Sequence, residues 1–115
     1  MRNQPIDLPD GILTILEGQT ESNFIDMRRM PLRGITIFLS GTPTGTISIE
    51  VTASLDAEFP SVTTWHNLQS GGSNVVVGSD DAVLLDFVGW HGLRLSSGST
   101  EAEDRIFKIV GVEDM

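Results

Sequence analysis

Cysteine and tyrosine are both absent from this chain of 115 residues, and its aromatic complement is only five Phe and two Trp. Without cysteine there are no disulfide staples or thiolate metal sites, and the chain can fold under reducing conditions. Basic residues are scarce too: 7 Lys and Arg stand against 16 Asp and Glu, a net charge of −9. So acidic a chain is repelled by phosphate backbones, which argues against nucleic acid as a partner. The one basic cluster, Arg28, Arg29 and Arg33, has Asp26 beside it and reads as structural ion pairs or a contact to a partner protein. No apolar run approaches the ~20 residues of a membrane span. The start, MRNQPIDLPD, lacks the continuous apolar stretch of a secretion signal. The expectation is a chain made in the cytosol and used without processing. No internal repeat of fixed period is visible.

What the chain does have is period-two alternation. Its length fits one domain with a single core. In GITIFLSGTPTGTISIEVTAS (Gly34–Ser54), Ile35, Ile37 and Leu39 share one face of an extended run. After the breaker cluster Ser40–Gly45, Ile47, Ile49, Val51 and Ala53 alternate with polar residues. Successive strand side chains point to opposite faces, so this pattern predicts a half-buried β-hairpin with one wet face. Further strands are expected at Gly11–Glu17, Val62–Gln69, Ala82–Val88, Leu93–Ser96 and Arg105–Val112, with Val75–Val77 a short strand or the lead-in to Ala82–Val88. Ser22–Arg29 reads as a strand with Ile25 and Met27 on one face, or as a short helix capped by Ser22. Residues 1–10 carry Pro5 and Pro9 and form an extended arm in front of the domain 11–115; a disordered tail is the competing reading. The whole predicts an all-β fold, an antiparallel β-sandwich or jelly roll of about 7–8 short strands.

Little in the sequence asks for chemistry. His66 and His91 each adjoin a tryptophan, Trp65 and Trp90, but no HxH or HExxH spacing gathers ligands around them. No nucleophile elbow of the GxSxG kind occurs, and the glycine-containing turns lack the lysine and helix of a phosphate loop. The acidic pairs Asp80–Asp81, Glu101–Glu103–Asp104 and Glu113–Asp114 read as solvated loop or terminal charge, with a calcium site at Asp80–Asp81 as the alternative. Trp65, Trp90 and Phe59 offer either core anchors or a sugar-stacking platform. No catalytic residue, cofactor or metal is assigned. Ala82–Val88 and Arg105–Val112 are apolar on both faces, more than one sandwich core requires, and this surplus points to a protein–protein interface.

One ordered set of motifs goes further. SNFIDMR is followed by LRGITI, by TISIEVTASLD, by TWHNL and by LRLSSGSTEAEDRIFKIV. This succession resembles a pattern in small structural proteins of tailed bacteriophages, and it covers roughly residues 20–112. The matching positions are Ile25 and Asp26; Gly34 and Ile35; Ser54 and Asp56; Trp65; Arg94, Leu95, Ser97 and Gly98; and Asp104 and Arg105. The chain departs from the pattern at Leu55–Ser61, where a short Asp-Gly turn gives way to the longer DAEFPS loop. The resemblance implies a non-enzymatic β-sandwich virion protein, assembled in the host cytoplasm, that decorates or cements the capsid or sits on the tail. It implies the major capsid protein or other virion proteins as partners, and a small homo-oligomer. Ile6, Leu8, Arg28, Arg29, Phe59 and Trp90 are the candidate partner-contact residues. A carbohydrate-binding module is the alternative of another class.

Overall fold

In the computed structural model, residues 4–27, 32–53, 64–85 and 90–113 are described. They form eleven strands: β1 (Gln4–Ile15), β2 (Glu21–Asp26), β3 (Leu32–Leu39), β4 (Ile47–Thr52), β5 (His66–Asn67), β6 (Gln69–Ser70), β7 (Ser73–Asn74), β8 (Val76–Val77), β9 (Ala82–Leu85), β10 (Gly92–Ser97) and β11 (Arg105–Glu113). Sheet one has the order β1-β11-β3-β9, and sheet two the order β2-β10-β4-β5 with β8 also on β4. All the pairings are antiparallel.

β5 and β8 are two halves of one edge strand. His66 and Asn67 lie opposite Val51 and Glu50, and Val76 and Val77 opposite Ser48 and Ile47. Between them the chain leaves the sheet as the β6-β7 hairpin, turned by Gly71 and Gly72 at φ 61 and 85. Two successive positive φ values are the geometry of a type I′ turn, which glycine adopts without a Cβ clash. With that edge counted once, the strands pair as a single long hairpin: β1 with β11, β2 with β10, β3 with β9, β4 with β5/β8. Rolling this hairpin so that successive arms alternate between two sheets produces a jelly roll.

Two expectations need correction here. The Gly34–Ser54 unit is not a hairpin, because β3 pairs with β11 and β9 while β4 pairs with β10, β5 and β8. Both strands bury their apolar faces, Ile35, Ile37 and Leu39 on one side and Ile47 and Ile49 on the other. Placed in facing sheets, these faces cover each other. The connection 40–46 can span the ~10 Å between packed sheets, and it exceeds the 2–5 residues usual in a β-hairpin. The second correction concerns the arm. Residues 4–10 are extended, but they belong to β1, with Gln4, Pro5, Ile6 and Asp7 opposite Glu113, Val112, Gly111 and Val110. The register slips between Asp7 and Ile12, a stretch that contains Pro9. β1 is an edge strand, where a proline without an amide donor is tolerated.

Of the segment Ser22–Arg29, the described residues form a strand over 21–26 and not a helix, with Ile25 and Met27 both buried; Arg28 and Arg29 lie outside the described residues. The core lies between the sheets. Sheet one gives Leu13, Ile15, Ile35, Ile37, Leu39, Phe107 and Ile109, and sheet two gives Ile25, Ile47, Ile49, Val77, Leu93 and Leu95. Burying a side chain of this size is worth roughly 1.5–3 kcal/mol.

The end of the roll where 16–20, 40–46 and 98–104 cross between the sheets is tied by one carboxylate. Glu101 is buried, and Thr44 N (2.8 Å), Gly45 N (3.0 Å), Ser97 Oγ (2.6 Å) and Arg105 Nε (2.8 Å) all donate to it. Its own backbone completes the tie: Gly18 N donates to Glu101 O, and Glu101 N donates to Gln19 O. Desolvation raises the carboxyl pKa, but the hydrogen bonds from Ser97, Thr44, Arg105 and Gly45 outweigh it and hold the value at about 2. The expectation that Glu101 is solvated loop charge is therefore wrong. With two donors on each oxygen and a guanidinium among them, the desolvation cost is offset.

Candidate interaction surface

The outward positions of sheet one follow from the same alternation that fills the core. Ile12 stands beside Lys108, Lys108 beside Phe38, and Phe38 beside Ala82. Thr14 stands beside Ile106, and Val110, Thr36 and Leu84 form a further row. Leu84 is 63% exposed, Ile106 59%, Ile12 and Leu16 56% each, and Phe38 42%. An isolated exposed apolar side chain needs no explanation, but a face built from them does. Among the described side chains of this face, Lys108 is the single charge. Around the end of the face near Ile106, a groove of about 710 Å³ joins Phe38, Ile106 and Lys108 to Glu103 and Asp104.

The outward face of sheet two is different in kind. Arg94, opposite both Phe24 and Glu50 in register, bonds Glu50 Oε1 through Nε (2.6 Å) and Glu21 Oε2 through Nη1 (2.8 Å). Its guanidinium lies 4.6 Å from the Trp65 ring centroid, and Phe24 meets the same ring edge-on at 5.6 Å. In this cluster the cation pairs with both carboxylates and lies over the Trp65 ring, while the Trp65 ring nitrogen keeps no hydrogen-bond partner among the described residues. One face of Trp65 is already covered by Arg94, and a sugar could stack on that face only by displacing it.

The other candidates from the sequence are distributed as follows. Trp90 is half-buried against the core and lines a cleft of about 410 Å³ with Leu68, Val75, Leu84 and Leu85. The indole nitrogens of Trp65 and Trp90 are buried without a hydrogen-bond partner among the described residues. Ile6 and Leu8 are in β1, while Arg28, Arg29 and Phe59 lie outside the described residues. Asp80 and Asp81 each commit an oxygen to a loop amide: Gly41 N donates to Asp80 Oδ1 (2.7 Å), and Gly78 N to Asp81 Oδ2 (2.9 Å). Among the described residues, no three His, Asp or Glu side chains are grouped to hold a metal.

Sequence reasoning found the surplus apolar faces of β9 and β11 but missed their continuation onto β1 and β3. Ile12, Leu16 and Phe38 carried the signal, since each occupies an outward position where alternation would place a polar residue. Fold and surface together define an all-β jelly roll in which, among the described side chains, sheet two carries a charge-paired outer cluster and sheet one a largely apolar outer face. Comparison with known protein families, curated proteins and solved structures finds no match.

Proposed function

We propose that this chain is a non-enzymatic structural protein of a tailed-bacteriophage virion, a decoration or cement protein that binds the assembled head and stabilises it. In this reading its partners are the major capsid protein or other virion proteins, its copies form a small homo-oligomer, and it is assembled in the host cytoplasm. The observation that carries the reading is the apolar outer face of sheet one, with Ile12, Phe38, Leu84 and Ile106 exposed on a rigid four-stranded sheet. Such a face loses free energy in water and regains it against protein, at about 25 cal/mol per Å² removed from solvent.

The ordered motifs of residues 20–112 support the phage assignment. The acidic balance, a net −9, supports a protein that stays soluble when free and keeps away from packaged DNA. Arg94 over Trp65 counts against the glycan-binding alternative. The test is a cryo-EM map of the assembled particle. The reading expects jelly-roll density on the head with sheet one buried against protein. Density confined to the tail or baseplate would replace the decoration role with a tail role, and density absent from the particle would overturn both.

A further inference from the structure

The two edges of sheet one are built differently. β1 carries Pro5, Pro9 and a register slip, devices that keep an edge strand from recruiting another. The Asn23 side chain also takes up its edge groups: Thr14 N donates to Asn23 Oδ1 (2.8 Å), and Asn23 Nδ2 donates to Ile12 O (3.3 Å). β9, at the opposite edge, reads Ala82, Val83, Leu84, Leu85, with no proline, charge or register slip.

The ladder shows which backbone groups of β9 are spare. Leu39 N donates to Asp81 O at 3.0 Å, so that pair is hydrogen-bonded. Bonded and non-bonded pairs alternate along an antiparallel ladder. Val83 and Leu85 therefore bond to Ile37 and Ile35, while Ala82 and Leu84, opposite Phe38 and Thr36, turn N–H and C=O away from β3. Among the described residues, no partner takes these outward groups.

The cleft of about 410 Å³ runs along this edge. Leu84 and Leu85 both line it. Consecutive strand side chains point to opposite faces, so a space touching both lies at the strand's edge and not over one face. Leu68, Val75 and Trp90 complete it, and no lining residue is charged. Trp90 keeps its indole N–H buried without a partner among the described residues, a donor left for an acceptor entering the cleft. At the start of β9, Asp80 and Asp81 are exposed, and bonding one oxygen to a loop amide leaves their charge in place.

Spare strand amides select an extended peptide, the uncharged cleft selects apolar side chains, and the two carboxylates select a cation at one end. We infer that the β9 edge is a strand-acceptor site for an extended segment of a partner protein. The segment pairs antiparallel with Ala82–Leu85, places alternate apolar side chains in the cleft, and sets a Lys or Arg at its C-terminal end beside Asp80 and Asp81. Main-chain hydrogen bonds supply affinity in this mode, and the pocket and charge supply specificity. The contact is made by the edge, not by the outer face of sheet one, and it does not depend on the virion reading.

A model ligand follows from the register: acetyl-Leu-Thr-Val-Thr-Lys-amide. Its Leu and Val fall opposite Leu85 and Val83, its threonines opposite Leu84 and Ala82, and its Lys opposite Asp81. Titration into isotope-labelled protein should shift the Ala82 and Leu84 amide resonances and the Trp90 indole N–H, and the shifts should saturate. N-methylating both threonine nitrogens should weaken binding about tenfold or more, since two strand hydrogen bonds are lost. Replacing the peptide's Lys by Glu should weaken it about two- to fivefold. Ala82→Pro removes an amide that β3 does not use, at the first residue of the strand, where proline is tolerated. It should keep its melting curve and bind about fivefold or more weakly. If this variant fails to fold, the N-methylated peptide decides on the unmodified protein. Shifts that do not saturate by about 5 mM peptide overturn the inference, as does equal binding by the N-methylated or Glu peptide. Ala82 and Leu84 amides strongly protected from hydrogen exchange in the free protein also overturn it, because the edge is then already covered.

Discussion

Thr44 and Glu101 hold two loops together from both sides. The Thr44 amide donates to Glu101 Oε1 at 2.8 Å, and Thr44 Oγ1 accepts the amide of Ala102 at 3.0 Å. One carboxylate and one hydroxyl thereby fasten the β3–β4 crossing to the β10–β11 crossing. Glu101→Ala should cost about 2–4 kcal/mol, because it orphans two loop amides and leaves the largely buried Arg105 paired with the exposed Glu103 at 2.9 Å. Set against a total near 5–15 kcal/mol, that loss should be plain in a denaturant titration. A midpoint within error of the unmodified protein would show that the loops hold without the tie.

The same group sets the acid limit. Folding lowers the Glu101 carboxyl from 4.5 to about 2, so the unfolded chain takes up the proton more readily than the native one. The resulting stability is fully present above pH 4.5 and is lost as pH falls toward 2, about 3 kcal/mol in all. Unfolding free energies measured between pH 5 and 2 should fall steeply for the unmodified protein and less steeply for Glu101→Gln. Parallel slopes would assign acid lability to other carboxylates.

Gly45 and Gly98 are both loop glycines at this end, yet they should respond differently. A Cβ on Gly45 would collide with Ser97 Oγ and with Ser99 N at 2.5 Å, whereas one on Gly98 meets nothing closer than 3.8 Å. Gly45→Ala should cost about 1–3 kcal/mol, and Gly98→Ala should stay within about 0.5 kcal/mol. Thermal midpoints compare the two directly.

Adjacent residues on β4 separate the core from the outer cluster. Ile49 is completely buried, so Ile49→Ala should cost about 2–5 kcal/mol. Glu50 faces outward but pairs with Arg94 at 2.6 Å, so Glu50→Ala should cost about 1 kcal/mol or less. It should also alter Trp65 emission by loosening the cation above the ring. Equal stability losses would mean the register of β4 is wrong.

Much of this fold is legible in the sequence because strand alternation is local. Ile35, Ile37 and Leu39, Ile47 and Ile49, and Leu93 and Leu95 announce their faces without any knowledge of their partners. Which strands pair is a long-range matter, and there the local signal misleads. The SGTPTG segment has the composition of a hairpin turn and serves as a crossing between sheets. Glu101 was illegible for a related reason: its four donors come from Thr44, Gly45, Ser97 and Arg105, which only the tertiary fold converges. Of the interaction surface, the β9 and β11 strips could be read from residues apolar on both faces. The β1 strip lies within Gly11–Glu17, where the exposed Ile12 and Leu16 alternate with the buried Leu13 and Ile15, and a segment apolar on both faces does not tell which face is outward; Pro5 and Pro9 made residues 4–10 look like an arm.

That change of role reverses an expectation for truncation. Residues 4–7 pair with residues 110–113 of β11, so deleting residues 1–10 should uncover the β11 edge and lower the thermal midpoint by several degrees. An unchanged midpoint would restore the independent arm.

The most direct test of the central claim, that the outer face of sheet one is a protein-binding surface of a virion component, is co-sedimentation with undecorated phage heads. The unmodified protein should pellet with heads. Ile106→Asp should remain folded and stay in the supernatant, while Asn67→Asp on sheet two should pellet normally. Undiminished pelleting of Ile106→Asp, or none by the unmodified protein, would contradict the account.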